Sequence, residues 1–197
     1  MTLGSTDLSR YGFVANDTID STGVTSSYTL TINNASSTSS KAGLVCVAGT
    51  IACTTDSGLP CFRLMASGGS ECNVSYTTIT GTSTSYTYAY GGTNKNVRLN
   101  RYYVGNNNAA SSNVGERVNF ILWICDQKHT SRPFANTHVY GMSVPNGTNG
   151  IAYLSHIQAT FFDDSGAYDR QQKIKFVDQN GSSFQGARIK AWQLGAL

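Results

Sequence analysis

Short runs of alternating apolar and polar residues, separated by Gly, Asn, Ser and Thr, fill the chain from residue 27 onward. Residues 27–33 (SYTLTIN) place Tyr28, Leu30 and Ile32 on one face, the period-two pattern of a half-buried strand. Residues 44–48 (LVCVA) are continuously apolar, as in a strand buried on both faces. Residues 61–66 (CFRLMA) follow the turn signal SGLP, and residues 85–90 (SYTYAY) alternate until Gly91-Gly92. Residues 96–104 (NVRLNRYYV) put Val97 and Leu99 on one side. Residues 116–125 (ERVNFILWIC) are the most hydrophobic segment and read as a central strand. After residues 137–144 (THVYGMSV) comes PNGTNG, a tight turn, because Asn-Gly adopts positive φ at low cost. Residues 151–162 (IAYLSHIQATFF) suit one bent strand or two. Residues 172–179 direct Ile174 and Phe176 inward; residues 187–194 direct Ile189 inward, with Ala191 or Trp192 according to register. About nine or ten strands at roughly ten-residue spacing, with no helical period, predict an all-β antiparallel sandwich of jelly-roll type.

Residues 1–25 lack this texture. Their apolar positions, Leu3, Leu8, Tyr11, Phe13 and Val14, are isolated, which predicts a short irregular N-terminal arm. Such an arm packs across its own sandwich or reaches a neighbour, where these five residues would form the interface. Residues 26–197 then make up the sandwich domain. A chain of 197 residues fits that single domain.

Composition sharpens the picture. Charged residues are 13% of the chain, against about 25% in ordinary soluble domains. Ser, Thr, Asn and Gly replace them, and these favour turns and extended backbone over helix. The net charge of +3 is small and the Lys and Arg are scattered along the chain, so no nucleic-acid partner is expected. The N-terminal MTLGSTDLSRYGF lacks a secretory pattern, and no apolar run approaches the ~20 residues of a membrane span. A soluble protein assembled in a cytoplasm, without membrane contact, is the expectation. Five cysteines without a CxxC pair point to reduced thiols, with Cys46 and Cys125 as small core residues.

Candidate chemistry is sparse. His129, His138 and His156 show no HxH or HExxH spacing and read as surface or strand histidines. Asp163, Asp164 and Asp169 surround Gly166 but do not follow a calcium-loop pattern; a solvated loop, or a salt bridge with Arg170, is the simpler reading. No metal or other cofactor is expected. No serine sits in G-x-S-x-G and no carboxylate pair has an apolar setting, so no enzymatic activity is expected. Tyr86, Tyr88 and Tyr90 line one face, where tyrosines fill a core or subunit interface or, alternatively, stack on sugars.

Residues 174–195 (IKFVDQNGSSFQGARIKAWQLG) resemble the closing hairpin of jelly-roll structural proteins of tailed bacteriophages. The positions that carry the likeness are Ile174, Phe176, Gly181, Phe184, Gly186, Ile189, Trp192, Leu194 and Gly195. Residues 120–134 resemble the family's long central strand, and residues 151–162 another. The likeness covers residues 61–197. The family's terminal Leu-Tyr-Gly is Gln193-Leu194-Gly195 here, so different packing of the last strand is expected. The resemblance implies a virion protein: a capsid decoration (cement) protein that binds the outer capsid surface and bridges major capsid proteins, as a homotrimer. The alternative it implies is a tail appendage that binds a receptor or glycan, with Tyr86, Tyr88 and Tyr90 as the sugar contacts.

Overall fold

Alternation of inward apolar and outward polar side chains organises the chain into two stacked antiparallel sheets, of eight and four strands. The computed structural model describes residues 13–32, 43–55, 58–66, 69, 71–80, 85–88, 95–99, 117–128, 133–143, 153–162 and 171–194. In chain order the strands are β1 (Phe13–Ser21), β2 (Ser27–Thr31), β3 (Gly43–Cys53), β4 (Pro60–Ala66), β5 (Asn73–Thr80), β6 (Ser85–Tyr88), β7 (Val97–Arg98), β8 (Arg117–Lys128), β9 (Pro133–Ser143), β10 (Tyr153–Phe162), β11 (Gln171–Asp178) and β12 (Phe184–Leu194). The larger sheet has the order β1-β12-β3-β8-β9-β10-β5-β6, the smaller β2-β11-β4-β7. The all-β sandwich is as the sequence predicts, and there is no helix among the described residues.

The segment 116–125 is central, as its hydrophobicity requires: β8 lies between β3 and β9. Val118, Phe120, Leu122 and Ile124 point into the core, while Asn119, Ile121, Trp123 and Cys125 alternate to the outer face. The core is filled by aromatic contacts. Phe62 meets Phe161 at 5.5 Å between ring centres, Phe120 meets Phe176 at 5.6 Å, and Tyr28 stacks on Phe184 at 5.6 Å. These rings bury the largest apolar area per residue available.

Three expectations are corrected. First, residues 13–21 are a strand and not part of an irregular arm. Strand β1 sits at the sheet edge, where one ladder suffices, and a register shift between Ala15 and Asp17 breaks its alternation. Second, residues 73–80 form a strand, β5, although NVSYTTIT is rich in polar threonine and lacks an apolar alternation. Threonine is nevertheless β-branched and favours the pleat. The described residues therefore form twelve strands, and the segment expected as one bent strand or two contributes one of them, β10. Third, the closing segment is not a hairpin. Strand β11 belongs to the smaller sheet and β12 to the larger, so the turn between them is an arch that crosses the core.

That arch organises the sandwich. Strand β12 pairs with β1 and β3, while β11 pairs with β2 and β4. The connections β1–β2, β11–β12 and β3–β4 therefore lie side by side as three nested arches. Thr25 and Phe184 exchange backbone hydrogen bonds of 3.1 and 2.7 Å between the first two. Gly181 turns the middle one with φ of 78°, a left-handed conformation that glycine adopts without strain.

Candidate docking surface

With the apolar faces of both sheets turned inward, the outer face of the larger sheet should be polar. Its centre is not. Of the four large apolar side chains exposed among the described residues, three lie there: Tyr140 at 50%, Ile121 at 45% and Met142 at 37%. Register explains the clustering. One row across the sheet reads Lys190, Ala48, Ile121, Tyr140, His156; the next reads Trp192, Cys46, Trp123, His138, Gln158. Cross-strand neighbours on one face lie about 5 Å apart, so these side chains form a continuous surface. Phe13, at the start of β1, meets Trp123 edge to face at 6.3 Å, and Lys190 Nζ lies 5.4 Å over the Trp192 ring. Contiguous apolar surface of this kind marks a contact site far more often than does a single exposed leucine.

The polar groups inside the patch hold one another in place. Tyr140 and His156 stack face to face at 4.5 Å with ring planes 1° apart. His138 Nδ1 lies 3.2 Å from His156 Nε2 and 3.3 Å from Gln158 Nε2. One ring nitrogen of the histidine pair donates and the other accepts, according to the tautomer. The ring centres are 5.5 Å apart and the planes 18° from parallel. The two ring radii account for the difference between 5.5 and 3.2 Å, so the nitrogens lie on the line joining the centres. This is the geometry of an in-line N–H···N hydrogen bond, whereas two imidazoles sharing a metal ion converge at an angle. Burial, and then the neighbouring His138, hold His156 below the ordinary histidine value of 6.5. Thr160 Oγ1 donates to Asn136 Oδ1 at 2.9 Å further along the same two strands.

The surface can therefore bind a partner by apolar and aromatic contact, with amide and imidazole groups to set orientation. Among the described residues there is no group of three or more His, Cys, Asp or Glu that could hold a metal ion. The buried thiols are unreactive: burial pushes Cys46 up to about 11 and Cys61 up to about 12, and burial followed by Asp178 raises Cys53 as well. Cys125 departs from expectation. It is exposed on the outer face of β8, because alternation turns Ile124 inward and Cys125 outward.

The sequence-predicted residues meet this surface only in part. Phe13 joins it through Trp123, and Val14 pairs with Gln193 in the β1–β12 ladder. Leu3, Leu8, Tyr11 and Tyr90 lie outside the described residues, as do His129, Asp163, Asp164 and Asp169. Tyr86 and Tyr88 pair with Ile79 and Thr77 on β6, at the sheet edge opposite β1. Sequence reasoning missed Ile121, Trp123, His138, Tyr140, Met142, His156 and Trp192 as one surface. The available signal was strict alternation inside FILWIC and THVYGM, which assigns half of each apolar run to the outside. No family model, curated protein or solved structure matches the chain.

Proposed function

We propose that this protein is a structural docking module, most specifically a capsid decoration protein of a tailed phage that binds the outer capsid surface and bridges major capsid proteins. The observation that carries the docking role is the apolar outer face of the larger sheet, with Tyr140, Ile121 and Met142 exposed around the His138–His156 pair. Burying such a face against a partner is favourable at roughly 25 cal/mol per Å² before the costs of association. The virion setting comes from the likeness of residues 174–195 to phage jelly-roll proteins. In this role the chain performs no reaction and needs no cofactor. Homotrimeric assembly belongs to the same proposal and is read by light scattering.

Gold-labelled antibody against the chain, applied to virions that carry it, should mark the head. Label at the tail would replace decoration by the appendage reading. Ile121→Glu and Tyr140→Glu alter exposed positions and should leave the fold intact while abolishing binding to undecorated heads. Full binding by both variants would remove the outer face from the proposal.

A further inference from the structure

The outer face of the smaller sheet has the opposite character. Arg63 on β4 and Lys175 on β11 stand directly opposite each other in the ladder, an arrangement that repels when left alone. Glu71 is set between them. Arg63 Nη1 donates to both of its oxygens at 2.9 Å, Lys175 Nζ reaches Oε1 at 3.3 Å, and Lys95 Nζ stands 3.9 Å from Oε2. The backbone fixes Glu71 in this position through its bridge to Met65 and the hydrogen bond from Cys72 N–H to the Leu64 carbonyl. Arg63 Nε also donates to Asn96 Oδ1 at 2.6 Å.

Two more cations extend the face. Lys173 lies two residues before Lys175, with Ile174 and Phe176 turned into the core, and Arg98 on β7 is opposite Cys61. Arg63, Lys95 and Lys175 thus share one carboxylate, and Lys173 and Arg98 stand on the same face outside that cluster, in a chain whose whole net charge is +3. Two further carboxylates border the face and are already engaged: Asp178 is buried at one end, and Asp17 at the β2 margin accepts from Thr31 N–H at 2.8 Å. These five cations come from three separate stretches of the sequence, at residues 63, 95–98 and 173–175. The adjacency of β11, β4 and β7 collects them, which is why a linear reading finds no basic run.

We infer that the outer face of the four-stranded sheet docks a carboxylate-rich protein surface. Charge complementarity supplies the attraction and the rigid strands hold the cations in fixed register. Arg63 already grips the Glu71 carboxylate with one nitrogen on both oxygens, the stereochemistry an acidic side chain offers. No aromatic side chain lies on this face among the described residues, so it lacks the stacking platforms that single-stranded nucleic acid uses. This inference goes beyond the aromatic face and fails separately from it.

The test is titration of the full chain with poly-L-glutamate and, in parallel, with a single-stranded DNA oligonucleotide. Poly-glutamate should bind at low ionic strength and be released as salt rises. Lys95→Glu combined with Lys173→Glu should weaken that binding by about tenfold or more, with an unchanged melting temperature. Should the double variant melt early, Lys173→Gln, which takes no part in the Glu71 cluster, should still weaken binding measurably. Absence of poly-glutamate binding would overturn the inference, as would binding that neither variant weakens. Tighter binding of the DNA, lost in the same variants, would replace the acidic protein by a nucleic acid.

Discussion

Asp178 ties two of the three arches together, and replacing it should cost far more than its single side chain suggests. It is 5% exposed at the end of β11. One oxygen, Oδ2, accepts Leu59 N–H at 2.6 Å and faces the Cys53 thiol at 3.7 Å; both residues flank the β3–β4 connection. The other, Oδ1, accepts Asn180 N–H at 2.7 Å and Ser182 N–H at 3.4 Å, inside the β11–β12 arch. Asp178→Asn keeps the volume but converts one oxygen to an NH2 group. One orientation of the amide sets that NH2 against the buried Leu59 N–H, the other against the part-buried N–H groups of Asn180 and Ser182. An orphaned buried donor costs about 1–3 kcal/mol, and weakening the remaining bonds from charged to neutral adds about 1 kcal/mol. The expected loss is therefore about 2–4 kcal/mol, or roughly 5–15 °C in Tm for a chain of this size. Urea denaturation followed by the fluorescence of Trp123 and Trp192 measures it. Thr55→Ala is the control: it removes an exposed 3.1 Å hydrogen bond to Ser182 on the same connections and should change stability by less than about 0.5 kcal/mol. A loss below about 1 kcal/mol in Asp178→Asn would refute the view that this carboxylate locks the arches.

Phe176→Ala should cost about 3–5 kcal/mol and Ile189→Ala about 2–4 kcal/mol, since both are core side chains at 0% and 1% exposure; an unchanged melting temperature in either would contradict the register. A thiol reagent should titrate one cysteine rapidly in the native protein, Cys125, and five after denaturation; three or fewer in the denatured count would mean disulfides. Burial would raise the pKa of Glu71, but its hydrogen bonds and charge contacts with Arg63, and then Lys175, outweigh this and hold it below 4.5. Its stabilisation is thus present above about pH 4.5 and lost as pH falls through the lower folded value. In Glu71→Gln, urea midpoints should lose that part of the acid sensitivity, and an unaltered profile would speak against the cluster. His156 acts from the other side: its folded pKa lies below the unfolded 6.5, so stability should fall as pH drops from about 6.5 towards the folded value and level off below it. His156→Gln should flatten that window, which midpoints at a series of pH values would show.

The strands that were legible in the sequence are those whose two faces meet different environments. Residues 27–32 and 173–176 alternate because one side packs on Phe184 or Phe120 and the other faces outward, and period two records that difference directly. Strand β1 escaped because an edge strand needs only one ladder, and its Asn16, Asp17 and Asp20 look like loop residues. Asp17 in fact works as a clasp, accepting from Thr18 N–H and, across the arch, from Thr31 N–H. The arch resembles a hairpin in sequence because a turn signal such as NGSS specifies a reversal of the chain but not which sheet receives it. That choice depends on the partners of each strand, and partners are long-range information.

The same limit explains the two candidate surfaces. A run such as FILWIC appears uniformly apolar, and only its pairing with Tyr140 on one side and Cys46 on the other reveals that Ile121 and Trp123 face outward. His138 and His156 are 18 residues apart in sequence and become neighbours because β9 and β10 pair with Tyr140 opposite His156. The cations are more dispersed still. Lys95 and Arg98 reach Arg63 and Lys175 only through the short ladder between β7 and β4. Each strand thus contributes one or two residues to a surface that exists only at the level of the sheet. An apolar patch on one outer face and a cationic one on the other make the sandwich two-sided. A module that bridges two partners needs that property, because a single sticky face would pair only with itself or with one neighbour.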